Sequence, residues 1–542
     1  MKKLLVVLLS VCIALGACLS LAGCGDNKET GDVVFTLVYG TAPRADTALV
    51  EAEVSKIAKE KLGFGVKFKP VSVFEAGQQY VNWLAAGDEI DVIGLFFVDV
   101  PSFIKNKSVR EIDSLLTEEN APNILDIKAS TLEEIKNKGS DGKVYGITVM
   151  PGVGAGVKGG AYMVRKDILE TVGLLGAGEG QYADGQKITY SDLDKIFAAI
   201  KANPETAKTQ GTNLDVYPTG NLAVADYSTL MFTVDPLGAT SGTGYPAGGL
   251  VGTDSTEIVN IYKSAEYKAV VEKMGEWKSK GYVHPDADST TSSQSDLFKA
   301  GQFVGAFFDN TEAMEKNQED GWAEKYGGLV RLPFVDPYYI LSNPNSGWHI
   351  PSRSKRPVSA MKFIDLLATD VEVMNCMMNG LDGKHRVWVD QENYIVDFPV
   401  IDGVKLTSET SGYFGMPGIY GDHSKVGSWM PKGVTAEQAV NDKMTRATTD
   451  EALLALALAN PSKGVGYTYD ASAQSARIGN INTVIAQYAP TLSIGKGSKG
   501  TDGTYTGPNS TYDKFIKALD DAKIGTVIAD NQAQFNAWLA SK

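Results

Sequence analysis

Three glycines, at positions 154, 156 and 159, form the pattern G-x-G-x-x-G, which can hold the pyrophosphate of a dinucleotide. That chemistry requires the glycines to follow a strand and to open a helix, because the N-terminus of the helix faces the phosphates. Residues 143–149 have the pattern of a strand, but residues 161–165, after the glycines, have the pattern of a second strand. No G-K-S or G-K-T sequence is present for a P-loop. The pattern therefore predicts no nucleotide site.

Side chains for metal binding or nucleophilic catalysis are present but lack the required spacing. The four histidines are scattered, with no H-x-x-x-H pattern and no cysteine partner. Asp286-Ala287-Asp288 begins like a calcium loop, but it lacks the glycine and the distal glutamate. No G-x-S-x-G elbow is present, and S-x-x-K matches such as those at 352–355 and 493–496 lack the K-T-G that completes a penicillin-binding set. We therefore predict neither a metal, nor a cofactor, nor an enzyme.

The first residues predict an exported lipoprotein. Two lysines precede an apolar run over residues 4–15, which is short for a membrane-spanning helix, and Leu-Ala-Gly leads to Cys24. This ending resembles the bacterial lipobox, in which the cysteine sulfur carries a diacylglycerol and the signal is cut directly before it. We predict a signal peptide over 1–23, lipidation of Cys24 and a flexible tether over 24–32. The protein is then held on the extracytoplasmic face of the cell membrane by its lipid alone.

The number of cysteines and the net charge exclude several kinds of site and ligand. Once the signal has left and Cys24 carries lipid, only Cys376 remains, which excludes an intramolecular disulfide and a thiolate zinc site. The formal net charge of −14 argues against nucleic acid and against broad attraction to anionic lipid headgroups. Stability must therefore come from a large hydrophobic core, which a chain of 542 residues can build across two or more domains.

Alternating strands and helices at the start of the chain predict an α/β fold. Residues 33–39 form an apolar, β-rich run, residues 47–62 have helical spacing, and 66–73, 76–86 and 91–97 continue as strand, helix and strand. Continuous apolar strands of this kind suit a parallel sheet that is covered on both faces. Further helices are predicted over residues 190–202, 265–280, 357–367, 511–522 and 531–539.

Residues that directly follow these strands are candidates for ligand binding, because ligands of open α/β sheets lie at the carboxyl ends of the strands. Arg44 and Asp46 follow the first strand, and Phe96, Phe97 and Asp99 end the third. A solvated loop is the alternative for the first pair. Two core phenylalanines, followed by an aspartate that caps the next helix, are the alternative for the second group.

Six longer motifs and a tail follow one another along the chain. The motifs are YVNWLAAGDEIDVIGLFFVD (80–99), DGKVYGITV (141–149), AYMVRKDIL (161–169), LFKAGQFVGAFFDN (297–310), YGGLVRLPF (326–334) and NSGWHIPSRSKRPVSAMKFIDLL (345–367). Their order and spacing resemble the extracellular solute-binding proteins of bacterial ABC transporters, in the carbohydrate-binding family. The tail, from 374–389 through 464–470 to the last helix, resembles a C-terminal domain of unknown function in larger sugar-binding lipoproteins.

The resemblance implies a two-lobed, type II periplasmic-binding-protein-like fold, with the ligand in a cleft between lobes that are joined by crossing hinge segments. It assigns residues 33–152 plus about 350–380 to an N-terminal lobe. Residues 160–345 plus about 385–542 become a C-terminal lobe with a helical extension. Because glycine tolerates the φ changes of a hinge, the glycine-rich stretch at the first crossing becomes a candidate pivot. The candidate hinge residues are Gly152, Gly154, Gly156, Gly159 and Gly160.

The same resemblance implies a monomeric, non-enzymatic protein that captures a carbohydrate and delivers it to the permease of an ABC importer. The length of the chain and its extra C-terminal region favour an oligosaccharide. Two alternatives stay open. One is a surface-anchored glycan hydrolase, since paired carboxylates that meet only in space are invisible in a sequence. The other is the peptide-binding component of an ABC importer.

Sugar recognition combines aromatic faces with planar polar groups that form paired hydrogen bonds. Asp309 and Asn310 follow two phenylalanines, for which an ordinary Asx turn is the alternative. Trp348 and His349 lie in the returning strand, where the neighbouring Gly347 allows close approach to the indole ring. The complete set of candidate ligand residues is Arg44, Asp46, Phe96, Phe97, Asp99, Asp226, Tyr227, Asp309, Asn310, Trp348, His349, Tyr413 and Trp429.

Overall fold

The computed structural model describes residues 29–40, 42–96, 98, 100–127, 135–139, 141–148, 156–203, 216–217, 231–237, 244–283, 304–309, 326–340, 346–416, 419–430 and 434–542. Its helices are α1 (Thr47–Leu62), α2 (Ala76–Ala86), α3 (Val100–Lys105), α4 (Pro122–Leu125), α5 (Lys166–Thr171), α6 (Tyr190–Ala202), α7 (Ala265–Ser279), α8 (Pro357–Thr369), α9 (Val371–Asn379), α10 (Ala436–Leu458), α11 (Ser475–Ser493), α12 (Thr511–Asp521) and α13 (Ile524–Ala540). Its strands are β1 (Val33–Tyr39), β2 (Val66–Ser72), β3 (Ile93–Leu95), β4 (Lys136–Lys138), β5 (Val144–Ile147), β6 (Val157–Lys158), β7 (Gly160–Arg165), β8 (Val216–Tyr217), β9 (Val234–Asp235), β10 (Leu250–Val251), β11 (Gly305–Asp309), β12 (Leu329–Pro333), β13 (Tyr338–Tyr339), β14 (Gly347–His349), β15 (Val387–Asp390), β16 (Ile395–Asp397), β17 (Val400–Ile401), β18 (Val404–Lys405) and β19 (Ser428–Trp429).

The first hydrophobic core forms around strands β1, β3 and β14. β1 pairs in parallel with β2 along its whole length, and a parallel bridge from Phe35 links it to the residue before β3. β3, β14, β5 and β4 continue as antiparallel neighbours. α1 turns Val50, Val54 and Ile57 inward at helical spacing and ends at Gly63, which has the left-handed φ of 82°. The bounds of β1 and α1 are those that the sequence predicts.

The third predicted strand starts two residues later than expected, because Asp91 has another role. Its carboxylate is fully buried and accepts hydrogen bonds from the amide of Val34 (2.9 Å), the hydroxyl of Ser354 (2.7 Å) and the guanidinium of Arg356 (2.8 Å). A buried carboxylate needs such partners to offset its lost hydration. Asp91 thereby joins β1 to the segment that follows β14.

The second hydrophobic core surrounds a sheet with the strand order β12-β7-β11-β8, in which β7 is antiparallel to both neighbours. α6 begins at a capping box between Thr189 and Asp192, as the T-Y-S-D sequence there permits. The ring of Trp277 on α7 stacks against Phe307 of β11 with 6.1 Å between centroids. α11, α12 and α13 complete this core, where Phe515 and Phe535 are fully buried. The C-terminal region is therefore mainly helical, as predicted.

The segment between α9 and α10 packs on the first core, which corrects the lobe boundary that we expected near residue 385. Tyr413 and Tyr420 are buried among the side chains of the first core. Asn379 of α9 donates a hydrogen bond to the carbonyl of Gly427 at 2.9 Å, and this bond holds β19 to the first lobe. These contacts join residues 48 and 36 positions apart, so the local sequence pattern does not reveal them.

Helix α10 connects the two lobes. Near its start, the Nζ of Lys443 lies 3.2 Å from the carbonyl oxygen of Asn393, on the first lobe. Near its end, Leu453 and Ala457 pack against Tyr339 of β13, next to the second lobe. α10 is thus a further connection between the lobes, besides the segments that link β5 to β6 and β13 to β14.

Within the part of the chain that the structure describes, no helix is both long and apolar enough to cross a membrane. The predicted signal peptide and Cys24 lie outside the described residues, so their assignment remains a prediction from the sequence.

Candidate functional site

The strand register shows which edges of the two sheets face each other. In the first lobe, Gly347 pairs with Leu95 and Trp348 with Ile147, so the ends of β3 and β5 and the start of β14 share one edge. The chain leaves the first lobe from this edge and returns to it. β1 runs parallel to the residues that lead into β3, so both strands end at the same edge. The loop after β1, with Arg44 and Asp46, therefore also opens there.

The corresponding edge of the second lobe is formed by the start of β7. Asp309 pairs with Gly160, and Pro333 pairs with Ala161, directly after the chain has crossed from the first lobe. The backbone of Asp309 therefore lies at the edge that faces the first lobe. A ligand held between the lobes would contact these two edges.

Trp348 lies in the first core rather than on the surface of a cleft. Its side chain has no exposed surface, its ring centroid is 4.5 Å from that of Phe35 and 5.0 Å from that of Phe96, and its Nε1 donates to the carbonyl of Ile419 at 3.2 Å. Tyr420 stacks on it at 6.0 Å. In place of the stacking platform that we expected, the structure has a core tryptophan, and Phe96 is a core residue beside it.

His349 and Tyr413 are also buried in the first lobe. The Nδ1 of His349 lies 3.0 Å from the carbonyl oxygen of Gly347, and burial lowers the pKa of this imidazole to about 4. Its ring packs so closely on Gly146 that a Cβ there would lie 2.6 Å from it. The hydroxyl of Tyr413 donates to the carbonyl of Met377 at 2.8 Å. Both residues support the fold, and neither presents a free surface to a ligand here.

Asp46 is held by two cationic or potentially cationic groups that the sequence did not identify. Its Oδ2 lies 3.1 Å from the Nε2 of His385 and 3.1 Å from the Nζ of Lys384. His385 accepts from the amide of Leu381 through Nδ1, so the proton of the neutral ring is on Nε2 and points to the carboxylate. The hydrogen bond from His385, and then the bond and charge of Lys384, lower the pKa of Asp46. Asp46 is therefore an oriented, ionised carboxylate.

Arg44 lies two residues before Asp46 in the loop after β1, and its side chain is only partly paired. Its Nη1 is 3.7 Å from the carboxylate of Glu409, an exposed side chain. Its Nε is buried and has no hydrogen-bond partner among the residues that the structure describes. A planar guanidinium with an unused donor suits recognition of a hydroxyl or carboxylate.

Trp429 stands in a stack of three aromatic rings. Its centroid is 4.0 Å from that of Phe398, with an interplanar angle of 15°, and 5.7 Å from that of Phe414, with an angle of 28°. All three side chains are half-buried, and none belongs to either hydrophobic core. The Nε1 of Trp429 has no partner within the described ranges. Phe398 and Phe414 were not candidates, because only the fold brings them to Trp429.

A short segment joins the ring stack to the charged residues. The amide of Asp46 donates to the carbonyl of Gly412 at 3.0 Å, and Phe414 follows two residues later. We call the set Arg44, Asp46, Phe398, Phe414 and Trp429 the aromatic rim. The rim combines aromatic rings, one fixed carboxylate and one guanidinium, contributed by the loop after β1 and by the segment between α9 and α10. This is the chemistry that binds the C–H faces and hydroxyls of a sugar.

Of the hinge candidates that the structure describes, Gly156 lies at a point of close approach. Gly156 accepts a hydrogen bond from the amide of Ile340, and a Cβ on Gly156 would lie 2.4 Å from the ring of Tyr339. Gly159 has a φ of 150°. The first crossing and the returning chain are thus in direct contact, which is compatible with a pivot at this place.

Several predicted site residues lie outside the described residues, so their roles remain predictions. They are Phe97, Asp99, Asp226, Tyr227, Asn310, Gly152 and Gly154, together with the side chain of Asp309. Within the described ranges, no group of three or more histidine, cysteine, aspartate or glutamate side chains could hold a metal ion.

The fold is the two-lobed fold of the type II solute-binding proteins. A crystal structure of the N-glycan transport solute-binding protein NgtS from Streptococcus pneumoniae has a TM-score of 0.68 at 14% identity, over 94% of this chain and 99% of that one. An extracellular solute-binding protein from Bifidobacterium longum subsp. infantis has a TM-score of 0.58 at 14% identity, over 94% and 99% of the two chains. At these identities the likeness establishes the fold.

Two further similarities concern the sequence. The chain is 20% identical to a carbohydrate ABC transporter substrate-binding protein of Streptococcus pneumoniae serotype 4, over 97% of this chain and 96% of that protein. Residues 463–540 match a domain of unknown function, DUF3502. The relatives named here are a substrate-binding protein of an ABC transporter and solute-binding proteins.

Proposed function

We propose that this protein is a lipid-anchored solute-binding protein that captures an oligosaccharide between its lobes and delivers it to the permease of an ABC importer. The observation that carries the proposal is the aromatic rim, in which the segment that carries the stacked rings of Trp429, Phe398 and Phe414 is hydrogen-bonded through Gly412 to the loop that carries Arg44 and the oriented carboxylate of Asp46. Ring faces and paired polar groups are the two elements that sugar recognition requires.

The ligands of relatives with this fold support an oligosaccharide. NgtS has been crystallised with Man5GlcNAc and with Man1GlcNAc, and the substrate-binding protein FusA of Streptococcus pneumoniae with kestose. These ligands consist of several sugar units or of a mannose joined to N-acetylglucosamine. The likeness to their binding proteins covers at least 94% of this chain. We therefore assign this protein to the capture of a short glycan.

Titration calorimetry of the mature chain against a panel of mannose-containing, fructose-containing and N-acetylglucosamine-containing oligosaccharides tests the proposal. Saturable binding of one glycan, recovered intact after incubation, is the expected result. Release of reducing ends would instead assign the protein to the glycan hydrolases. Saturable binding of peptides, with no glycan bound, would assign it to the peptide-binding components of importers.

The lipid anchor has a separate test. Cells that express the chain in the presence of radiolabelled palmitate should yield a labelled protein in the membrane fraction. Cys24→Ser should lose the label and leave the membrane, since the tether then carries no acyl chain. Cys376→Ser is the matched control, because Cys376 is a buried side chain of the first core and should not affect labelling. A labelled Cys24→Ser protein would contradict the anchor.

A further inference from the structure

A contact joins the last residue of α3, in the first lobe, to the domain of unknown function in the second. The Nζ of Lys105 donates a hydrogen bond to the hydroxyl of Ser472 and lies 3.9 Å from the carboxylate of Asp470. The match to the domain spans residues 463–540, so both acceptors belong to it. Lys105 is 367 residues away from Ser472 in the sequence, and the contact therefore bridges two separately folded cores.

The acceptor side of this contact is fixed before the lysine arrives. The amide of Asp470 donates to the Oε1 of Gln534 at 3.1 Å, and its carbonyl accepts from the Nε2 of the same glutamine, which lies on α13. The carboxylate of Asp470 also accepts from the amide of Ser472 at 3.0 Å. The neighbouring Tyr469 donates to Asp530 of α13 at 2.8 Å. Asp470 and Ser472 consequently move with α13 as one unit.

The donor side is equally tied to its own lobe. α3 follows closely after β3, at the sheet edge that faces the second lobe, and it buries Val100 and Phe103 in the first core. The side chain of Lys105 is 55% exposed and that of Asp470 is 42% exposed. The lysine extends from a packed helix through solvent to the other lobe. The contact therefore reports the relative position of the lobes rather than the packing of either one.

We propose that the domain over residues 463–540 acts as a latch that holds the two lobes together in the arrangement of this structure, with Asp470 and Ser472 as its acceptors and Lys105 as its donor. This inference rests on the binding of a ligand between two lobes in the proposed function. Lobes that rock apart at this point separate Lys105 from both acceptors, so the contact stabilises only the arrangement in which they meet. A contact that forms in only one of two states changes the free-energy difference between them by its full stabilisation, and the ratio of their populations changes accordingly. For an exposed ion pair with a hydrogen bond, that shift is about two- to fivefold.

The latch can be tested without knowing the ligand. Spin labels on Ala86→Cys at the end of α2 and Ala202→Cys at the end of α6 report the distance between lobes in the full mature chain carrying Cys24→Ser. In the ligand-free protein, Lys105→Met and Asp470→Asn should each shift the distance distribution toward the separated form by about two- to fivefold in population. Asp470→Asn keeps the oxygen that accepts from the amide of Ser472, so the local fold is retained.

Two controls make the test specific to the latch. Lys107→Met removes a charge two residues further along and should leave the distances unchanged, since no described acceptor of the second lobe contacts Lys107. The combination of Lys105→Met with Asp470→Asn should shift the population no further than Lys105→Met alone, because that change already removes the cation that Asp470 faces. Unchanged distances in Lys105→Met and Asp470→Asn, or fully additive effects, would overturn the latch. Neither result bears on whether the rim binds a glycan.

Discussion

Replacing Trp429 with alanine tests whether the aromatic rim contributes to ligand affinity, as distinct from the contribution of the hydrophobic cores to stability. The indole ring lies 4.0 Å from Phe398 and 5.7 Å from Phe414, so the change removes the middle ring of the stack. In the variant, a sugar that packs on this stack loses its contact with the indole ring. Phe398 and Phe414 also lose the ring that orders them. We expect the dissociation constant for the bound glycan to rise by about 5- to 150-fold, which corresponds to a loss of about 1–3 kcal/mol.

The same change should leave the protein folded. Trp429 is half-buried and belongs to neither core, so the free energy of unfolding should fall by less than the about 3–5 kcal/mol that truncation of a core tryptophan costs. Calorimetric titration measures the affinity, and thermal unfolding monitored by circular dichroism measures the stability. Trp83→Ala is the matched control, since Trp83 is a half-buried ring on α2 that packs under Lys69 at 4.4 Å, away from the rim.

Two results would refute this reasoning about Trp429. One is an affinity of Trp429→Ala within about twofold of the unsubstituted protein, a change too small for a stacked ring. The other is an equal loss of affinity in Trp83→Ala, which would show that the effect comes from general loosening of the first lobe.

Three further predictions concern the fold that positions the rim. Trp348→Ala should lower the free energy of unfolding by about 3–5 kcal/mol, because the ring is fully buried against Phe35 and Phe96. Urea titrations measure this loss, and a value below about 1 kcal/mol would contradict the core position of Trp348. His349, with its pKa lowered from 6.5 to about 4, binds protons more weakly in the folded state, so stability should fall as the pH drops from 6.5 to 4, by about 3 kcal/mol from this group. Urea titrations across that range should show a shallower fall for His349→Gln, and an identical pH profile would refute the assignment. Lys443→Met should widen the distribution of distances between spin-labelled lobes, because no ammonium then holds α10 to the carbonyl of Asn393. An unchanged distribution would show that this contact of α10 does not restrain the lobes.

Elements with local signals follow the sequence closely. β1, α1, α2 and α6 have the bounds that apolar spacing and capping residues predict, because those signals act between residues at most a few positions apart. The strand expected from Asp91 is shorter, since Asp91 takes partners from Ser354 and Arg356, more than 260 positions away. The pattern of hydrophobic residues does not encode such a partner.

Among the residues of the candidate site, too, some carry a signal in the local sequence and others do not. Arg44, Asp46 and Trp429 were identified from strand ends and residue types, and the structure brings them to one rim. His385 and Lys384, which orient Asp46, carry no local signal, because they meet it across more than 330 residues. Phe398 and Phe414 are unremarkable in the sequence and become informative only when both are stacked on Trp429.

The sequence by itself determined the alternation of strands and helices and the candidates at the strand ends. Only the tertiary structure decided which aromatic rings are core and which form a rim. Trp348 and Trp429 have similar neighbours in the sequence, each following a glycine closely, yet one is enclosed by Phe35, Phe96 and Tyr420 and the other is not. Burial is a property of the whole packed chain, and the enclosing side chains come from positions 35 to 420.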